Sequence, residues 1–204
     1  MDNINKLARF FLKFPGIGER QAKRFVYFLL NSDPKYTSEL IDGIKELKNK
    51  VSQCPVCFRF FPKDNNEICD ICSASSTDKS VLLVIEKDSD YESVRKSAVY
   101  AGNYFILGGL VPITDKSAEE KTRIKQLFER VKKEAGKGTL KEIILAFSLN
   151  PHGNHTDTYV RSFLSPLQEK FGLKISSLGR GLSTGTEIEY SDDDTLKNAL
   201  KNRQ

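Results

Sequence analysis

The chain has no tryptophan, a single methionine and two histidines, so a site built from clustered imidazoles has little material to draw on. His152 and His155 stand three apart, with no cysteine near them and no carboxylate between Phe147 and Thr156. They read as loop residues rather than as a catalytic or metal-binding pair. No apolar run approaches the roughly 20 residues that span a bilayer, and Val81 to Ile85 is far too short. The opening residues Met1 to Asn5 lack a basic flank followed by an apolar core, so no secretion signal and a cytoplasmic location are expected. No G-x-x-x-x-G-K-[ST] is present; Gly179, Gly181 and Gly185 read as turns, and no ATPase is expected. Internal repeats and low-complexity tracts are absent. A strong excess of one charge is lacking too. The 32 Lys and Arg face 27 Asp and Glu, and a net charge of +5 permits binding to nucleic acid without requiring it.

What is present, 204 residues that are 39% hydrophobic and 29% charged, has the balance of a soluble globular protein with one large core or two small ones.

All four cysteines, Cys54, Cys57, Cys69 and Cys72, fall in one segment, CPVCFRFFPKDNNEICDIC. The spacing is C-x2-C, 11 residues, then C-x2-C. A two-residue gap lets each pair form a tight knuckle, and two facing knuckles give the tetrahedral sulfur shell that zinc accepts. Pro55 stiffens the first turn. Two disulfides or four inert thiols are the alternatives, but disulfides need an oxidising compartment to which nothing here points. A redox pair would want one C-x-x-C at a strand end. The expectation is one structural zinc ion per chain, with no open position for catalysis. Such a site supplies on the order of 10 kcal/mol of folding free energy. Phe58, Phe60 and Phe61 are expected to cap it.

Before the finger the pattern is helical. Ile4, Leu7, Ala8 and Phe11 recur at i, i+3, i+4, i+7, as do Ala22, Phe25, Val26 and Leu29. Asp33-Pro34 reads as an N-cap with proline at the first helical position, opening a helix whose buried face would be Leu40, Ile41, Ile44 and Leu47. After the finger, strands and helices alternate. Val81–Ile85, Tyr104–Leu107, Glu142–Phe147 and Leu173–Leu178 read as strands. Ser89 with Glu92, and Ser117 with Glu120, read as capping boxes, the second opening a helix with Ile124, Leu127, Phe128 and Val131 inward. Tyr159, Val160, Phe163, Leu164 and Leu167 mark another helix that Pro166 should kink or end. Asp192, Asp193 and Asp194 suit the first turn of a last helix. This alternation predicts an α/β fold with a mostly parallel sheet covered on both faces.

Between the first two helices lies Phe14-Pro15-Gly16-Ile17-Gly18-Glu19-Arg20, which has the form of a helix-hairpin-helix. Gly16 and Gly18 let the backbone turn sharply and approach another surface. The free amides opening the second helix suit a phosphate oxygen, and Arg20, Lys23 and Arg24 add mobile positive charge beside them. The plainer reading is a turn between packed helices with three cations on a solvated face; the combination favours DNA.

Together these pieces resemble the bacterial RecR family of recombination mediators, over essentially the whole chain. The order carries the likeness: FPGIGERQAKRF as the hairpin, the cysteine segment as the finger, and VLLVIEKDSDYESV opening a Toprim domain. NYFILGGLVPITD follows, and SLGRGLSTGTEIEYSDDDTLKNAL is similar to the family's C-terminal segment with its R-G-L-x-x-G core. The resemblance implies a helix-hairpin-helix region at 1–53, a four-cysteine zinc finger at 54–76, a Toprim-like domain at 77–172 and a C-terminal strand and helix segment at 173–204. It implies a protein that binds single- and double-stranded DNA without sequence preference and does not cut it. With RecO, and in some settings RecF, it would help load RecA onto single strands covered by single-strand-binding protein. It would form dimers that close into a homotetrameric ring, with the hairpin parts exchanged between subunits. Arg20 and Arg24 fall on the family's two basic hairpin positions, the first of which is usually lysine.

Toprim enzymes hold magnesium with a glutamate after the first strand and a D-x-D pair after a later one. Glu86 stands at the glutamate position, but after Ile143–Ala146 the chain reads FSLNPHGNHT, with His152-Gly153-Asn154 where the family usually carries E-G-E. Asp88 and Asp90 read as loop and helix-cap charges. A hard cation needs oxygen ligands, preferably anionic, so a non-enzymatic protein is expected, with Glu86 a remnant. A metal-dependent Toprim nuclease or topoisomerase-like enzyme is the second reading, and a zinc-stapled scaffold that binds only protein the third. The resemblance also implies that acids in this region contribute to contact with RecO, so their loss bears on whether this chain binds RecO in the family's way.

Overall fold

The structure, a computed structural model, describes residues 2–63, 66–113, 121–179, 182, 185, 187–191 and 193–201. The chain forms two compact units. One comprises the residues up to Ser52 with Pro62 and Lys63; the other comprises Gln53–Phe61 and the rest of the chain.

The first unit is three helices, α1 (Asn3–Phe11), α2 (Glu19–Asn31) and α3 (Pro34–Lys50). Asp2 caps α1 by accepting from the Ile4 amide at 3.2 Å, and Asp33 caps α3 through the Lys35 amide at 2.7 Å. Ala8 of α1 and Ala22 and Val26 of α2 are buried together, with Ile4, Phe11 and Ile17 against them. The small alanines let the two helices close on one another. The expected buried face of α3 is not buried in the single chain: Leu40, Ile41, Ile44 and Leu47 are exposed, Leu47 by 63%. The helical period identifies which residues share a face, but it cannot say what covers that face. Phe25 is likewise exposed. With Phe11, Phe14, Phe28, Tyr36 and Leu40 it lines an apolar groove of about 840 Å³.

Two three-residue strands, β1 (Val51–Gln53) and β2 (Phe60–Pro62), form a ribbon that carries the chain from one unit to the other.

The second unit is built on a four-stranded sheet of β3 (Asp78–Ile85), β4 (Gly102–Ile106), β5 (Glu142–Ala146) and β6 (Lys174–Ser177). The order is β4-β3-β5-β6 and every pairing is parallel, with Leu83 between Tyr104 and Ile144. Central β3 is an unbroken apolar run because both its faces are covered. Leu82 and Val84 join Phe105, Ile143 and Leu145 on one face, beneath α6 (Ile124–Gly136) and α7 (Pro151–Phe171). Leu83 and Ile85 join Tyr104 and Ile106 on the other, where Tyr91 of α5 (Asp88–Ser97) packs. A four-residue helix α4 (Asp70–Ser73) lies in the finger; a 3-10 turn (Ile188–Tyr190) and α8 (Asp193–Lys201) end the described chain.

Two sequence expectations change. Helix α5 is not opened by Ser89 and Glu92: its N-cap is Lys87, the last extended residue, and Asp90 three positions on accepts from the Lys87 amide at 3.2 Å. Ser89 is already helical, its carbonyl accepting from Ser93 Oγ at 2.9 Å. Pro166 does not end its helix, which runs on to Phe171. The carbonyl left without a partner by proline belongs to Ser162, and Ser165 Oγ donates to it at 2.9 Å. The Ser117–Glu120 box lies outside the described residues.

Candidate metal centre and nucleic-acid interface

The four cysteine sulfurs lie within 4.8 Å of one another, with Cys54, Cys57 and Cys69 buried and Cys72 half-buried. Two knuckles create this. In the first, the Phe58 amide donates to the Cys54 carbonyl and the Cys54 amide to the Arg59 carbonyl, each at 2.9 Å. The chain turns at Phe58, whose φ of 63° is uncommon for a residue with a side chain. Its ring is held edge-on against Phe105 at 5.4 Å, under the Arg123 guanidinium at 5.2 Å. In the second knuckle, Cys69 caps α4 and Cys72 lies on its first turn. Of the three phenylalanines expected to cap the site, only Phe61 packs on the sulfurs; Phe58 faces the sheet and Phe60 is 57% exposed.

The four thiols do not behave alike. The hydrogen bond with Cys57 holds Cys54 well below the usual thiol range, whereas the one with Cys54 pushes Cys57 up. Cys72 is pushed up by Cys54 above all. Cys69 is raised by Cys54 but lowered more by Cys57, Cys72 and Arg59, to about 5. Such a set gives up its first protons readily and its last reluctantly, and a divalent ion would displace those that remain. The donors fit a soft or borderline metal in a closed tetrahedral shell. No other group of three or more His, Cys, Asp or Glu is arranged to hold a metal among the described residues.

The knuckles are sewn to the open edge of the sheet. The Ile106 amide donates to the Cys57 carbonyl at 2.9 Å, and Arg130 Nη1 bridges the Val56 and Tyr104 carbonyls at 3.0 and 2.7 Å. Arg59, also buried, donates from Nη1 to Tyr91 Oη at 2.9 Å and from Nη2 to the Asp70 carboxylate. Burial works against its charge, but the neighbouring Cys69, with Tyr91 and Cys57 behind it, outweighs it and holds the guanidinium above its usual value. Neither arginine was foreseen. The signal for Arg130 is a cation one turn from Leu127 on the apolar side of α6; for Arg59 it is a lone charge among CFRFF.

At the first unit's hairpin, Gly16 turns the chain with φ of 75° and Gly18 serves as N-cap of α2 with no side-chain cap. A side chain at either glycine would meet open space, so the turn is accessible to a flat surface. Arg20, Lys23 and Arg24 are all exposed. Glu19 sits beside Arg20 in the first turn and tempers the field.

Glu86 follows β3, its side chain 20% exposed with Lys87 Nζ 4.0 Å from Oε1. Asp88 accepts from the Phe60 amide at 3.2 Å, and Asp90 is held at the helix start. His152 and His155 fall on the opening turns of α7, not in a loop, with His155 6.4 Å from the Tyr159 ring. Gly153 between them is pressed on the preceding loop: a Cβ there would sit 1.8 Å from the Ser148 carbonyl oxygen. Gly153→Ala must therefore displace backbone, and a loss of about 2–3 kcal/mol is expected in denaturant unfolding.

Comparison with known proteins accords with this geometry. Residues 81–178 match the family model described as Toprim domain, and residues 181–204 the one described as RecR, C-terminal. The recombination protein RecR of Dehalococcoides mccartyi is 33% identical over 201 residues, covering 98% of this chain and 93% of its own. That of Chloroherpeton thalassium is 34% identical over 200 residues, 98% and 95%. That of Ureaplasma urealyticum is 34% identical over 190 residues, 93% and 90%. With a parallel Toprim sheet, a four-cysteine cluster and likeness along nearly its whole length, the chain belongs to the RecR family of recombination proteins.

Proposed function

We propose that the chain is a non-enzymatic DNA-binding protein of recombinational repair. It grips the backbone of single- and double-stranded DNA through the hairpin of Gly16, Gly18, Arg20, Lys23 and Arg24. The observation that carries this reading is the juxtaposition of an accessible helix start that lacks a side-chain cap with three exposed cations in the first two turns. Zinc is the ion proposed for Cys54, Cys57, Cys69 and Cys72, one per chain and structural, because four thiolates leave it no open position. A second copy is the proposed cover for the exposed apolar face of α3 and the groove beside it, within a dimer closing to a tetrameric ring. Family membership supports a role beside RecO and RecF in loading RecA. RecO contact here has to manage without carboxylates at His152-Gly153-Asn154. Fluorescence anisotropy with labelled oligonucleotides, alongside light scattering, tests the reading. Salt-sensitive binding by a tetramer supports it; no binding at low salt overturns it.

The second reading, a metal-dependent nuclease, rests on Glu86. Its neighbours Asp88 and Asp90 are engaged at the start of α5, and among the described residues no third ligand joins it. Supercoiled plasmid is expected to survive incubation with magnesium or manganese. Nicking that disappears in Glu86→Ala would reverse the assignment.

A further inference from the structure

We propose that Arg59 is the built-in counter-ion of the four-cysteine site, a positioning residue that offsets part of its negative charge and keeps its Nε–H for a ligand sulfur. The inference rests on the metal occupancy proposed above. Four thiolates around a divalent ion leave a formal double negative charge, and with Cys54, Cys57 and Cys69 buried, water can screen little of it. Arg59 is only 4% exposed and two residues beyond Cys57; its own carbonyl closes the first knuckle by accepting from the Cys54 amide. Its guanidinium crosses to the second knuckle, where Asp70 follows Cys69, and reaches Tyr91 on α5. Those bonds use both Nη atoms. Nε is buried with no hydrogen-bond partner, which is costly for a cation unless an anion lies close. Asp70 alone does not answer this need, because its carboxylate is 62% exposed and also lies 3.9 Å from Arg95 Nη2. The buried negative charge beside Arg59 is the cysteine cluster itself. Hydrogen bonds and charge placed just outside a metal's ligands commonly set how firmly it is held.

The test uses full-length protein carrying zinc as isolated, with zinc transfer followed to the chromogenic chelator 4-(2-pyridylazo)resorcinol. Arg59→Met should release zinc about 10- to 100-fold faster than the parent. Arg59→Lys, Asp70→Asn and Tyr91→Phe should stay within about threefold, because each keeps the buried cation. Unchanged release from Arg59→Met overturns the proposal. So does equally fast release from Tyr91→Phe or Asp70→Asn, which would make Arg59 a mere strut. Should Arg59→Met fail to fold, cobalt-loaded Arg59→Lys decides. Loss of the Nε–H should move its sulfur-to-cobalt charge-transfer band to lower energy while Tyr91→Phe leaves it in place; an unmoved band in Arg59→Lys overturns the proposal. A parent protein that takes up neither zinc nor cobalt instead defeats the metal assignment beneath it.

Discussion

Replacing Arg20 and Arg24 together with alanine is expected to abolish DNA binding while leaving the fold untouched. Both side chains are exposed, and alanine is at least as good a helix former as arginine, so the melting temperature should hold or rise slightly. What disappears is two phosphate contacts per hairpin, each contributing a slope of about 0.9 in log K against log salt on duplex. In the proposed ring, with several hairpins per assembly, the loss near physiological salt should reach on the order of 100-fold or more. The proposed contacts are to phosphates, not bases, so the loss should be alike for every sequence. Anisotropy titrations at three salt concentrations, with circular dichroism on the same samples, check both halves. A double variant that binds like the parent would move the DNA contact away from this hairpin.

Stripping the metal, or replacing Cys69 with serine, should have the larger effect on stability. The finger's own core is Cys54, Cys57, Cys69 and Phe61, too little to hold a segment that the ribbon and the 11 residues between knuckles would otherwise leave loose. A structural ion of this type contributes on the order of 10 kcal/mol, comparable with the whole stability of a domain. Loss of the first knuckle also leaves the Ile106 amide without its acceptor, at about 1–3 kcal/mol, and takes from Arg130 one of its two carbonyl partners, that of Val56. A fall in melting temperature on the order of 20–40 °C is expected with chelator. Because protons compete for thiolates, the same fall should come at milder chelation as pH drops. DNA binding should fail only together with the fold or the assembly. A chelated chain with unchanged melting would show that the cysteines do not hold a structural ion.

Much of this was legible in the chain itself, where one local signal sufficed. Val81–Ile85 is apolar without interruption because both faces of β3 are covered, and all four parallel strands fall within a few residues of their expected places. The cysteine spacing likewise brought four sulfurs together. What stayed hidden depends on groups distant in sequence. Periodicity picked out the face of α3 from Leu40 to Leu47 but could not supply its cover. Three-residue strands such as β1 and β2 are too short to carry a period. Pro166 looked like a stop because the repair comes from a hydroxyl, Ser165, that no propensity scale weighs. Nothing local singled out Arg59 and Arg130, since their acceptors lie at Tyr91, Val56 and Tyr104.

The stitching of Cys57 and Val56 to the edge of β4 also sets an order of events during synthesis. A ribosome delivers all four ligands once Cys72 has emerged, whereas the Ile106 amide and the Arg130 side chain that secure the first knuckle come later in translation. The nascent finger can therefore be complete as a ligand set before the surface that anchors it exists. Capture of the proposed ion can then precede anchoring. In a cell starved of the ion, the newborn chain would present reactive thiols and an unfinished sheet edge together, the state in which chains aggregate or are degraded.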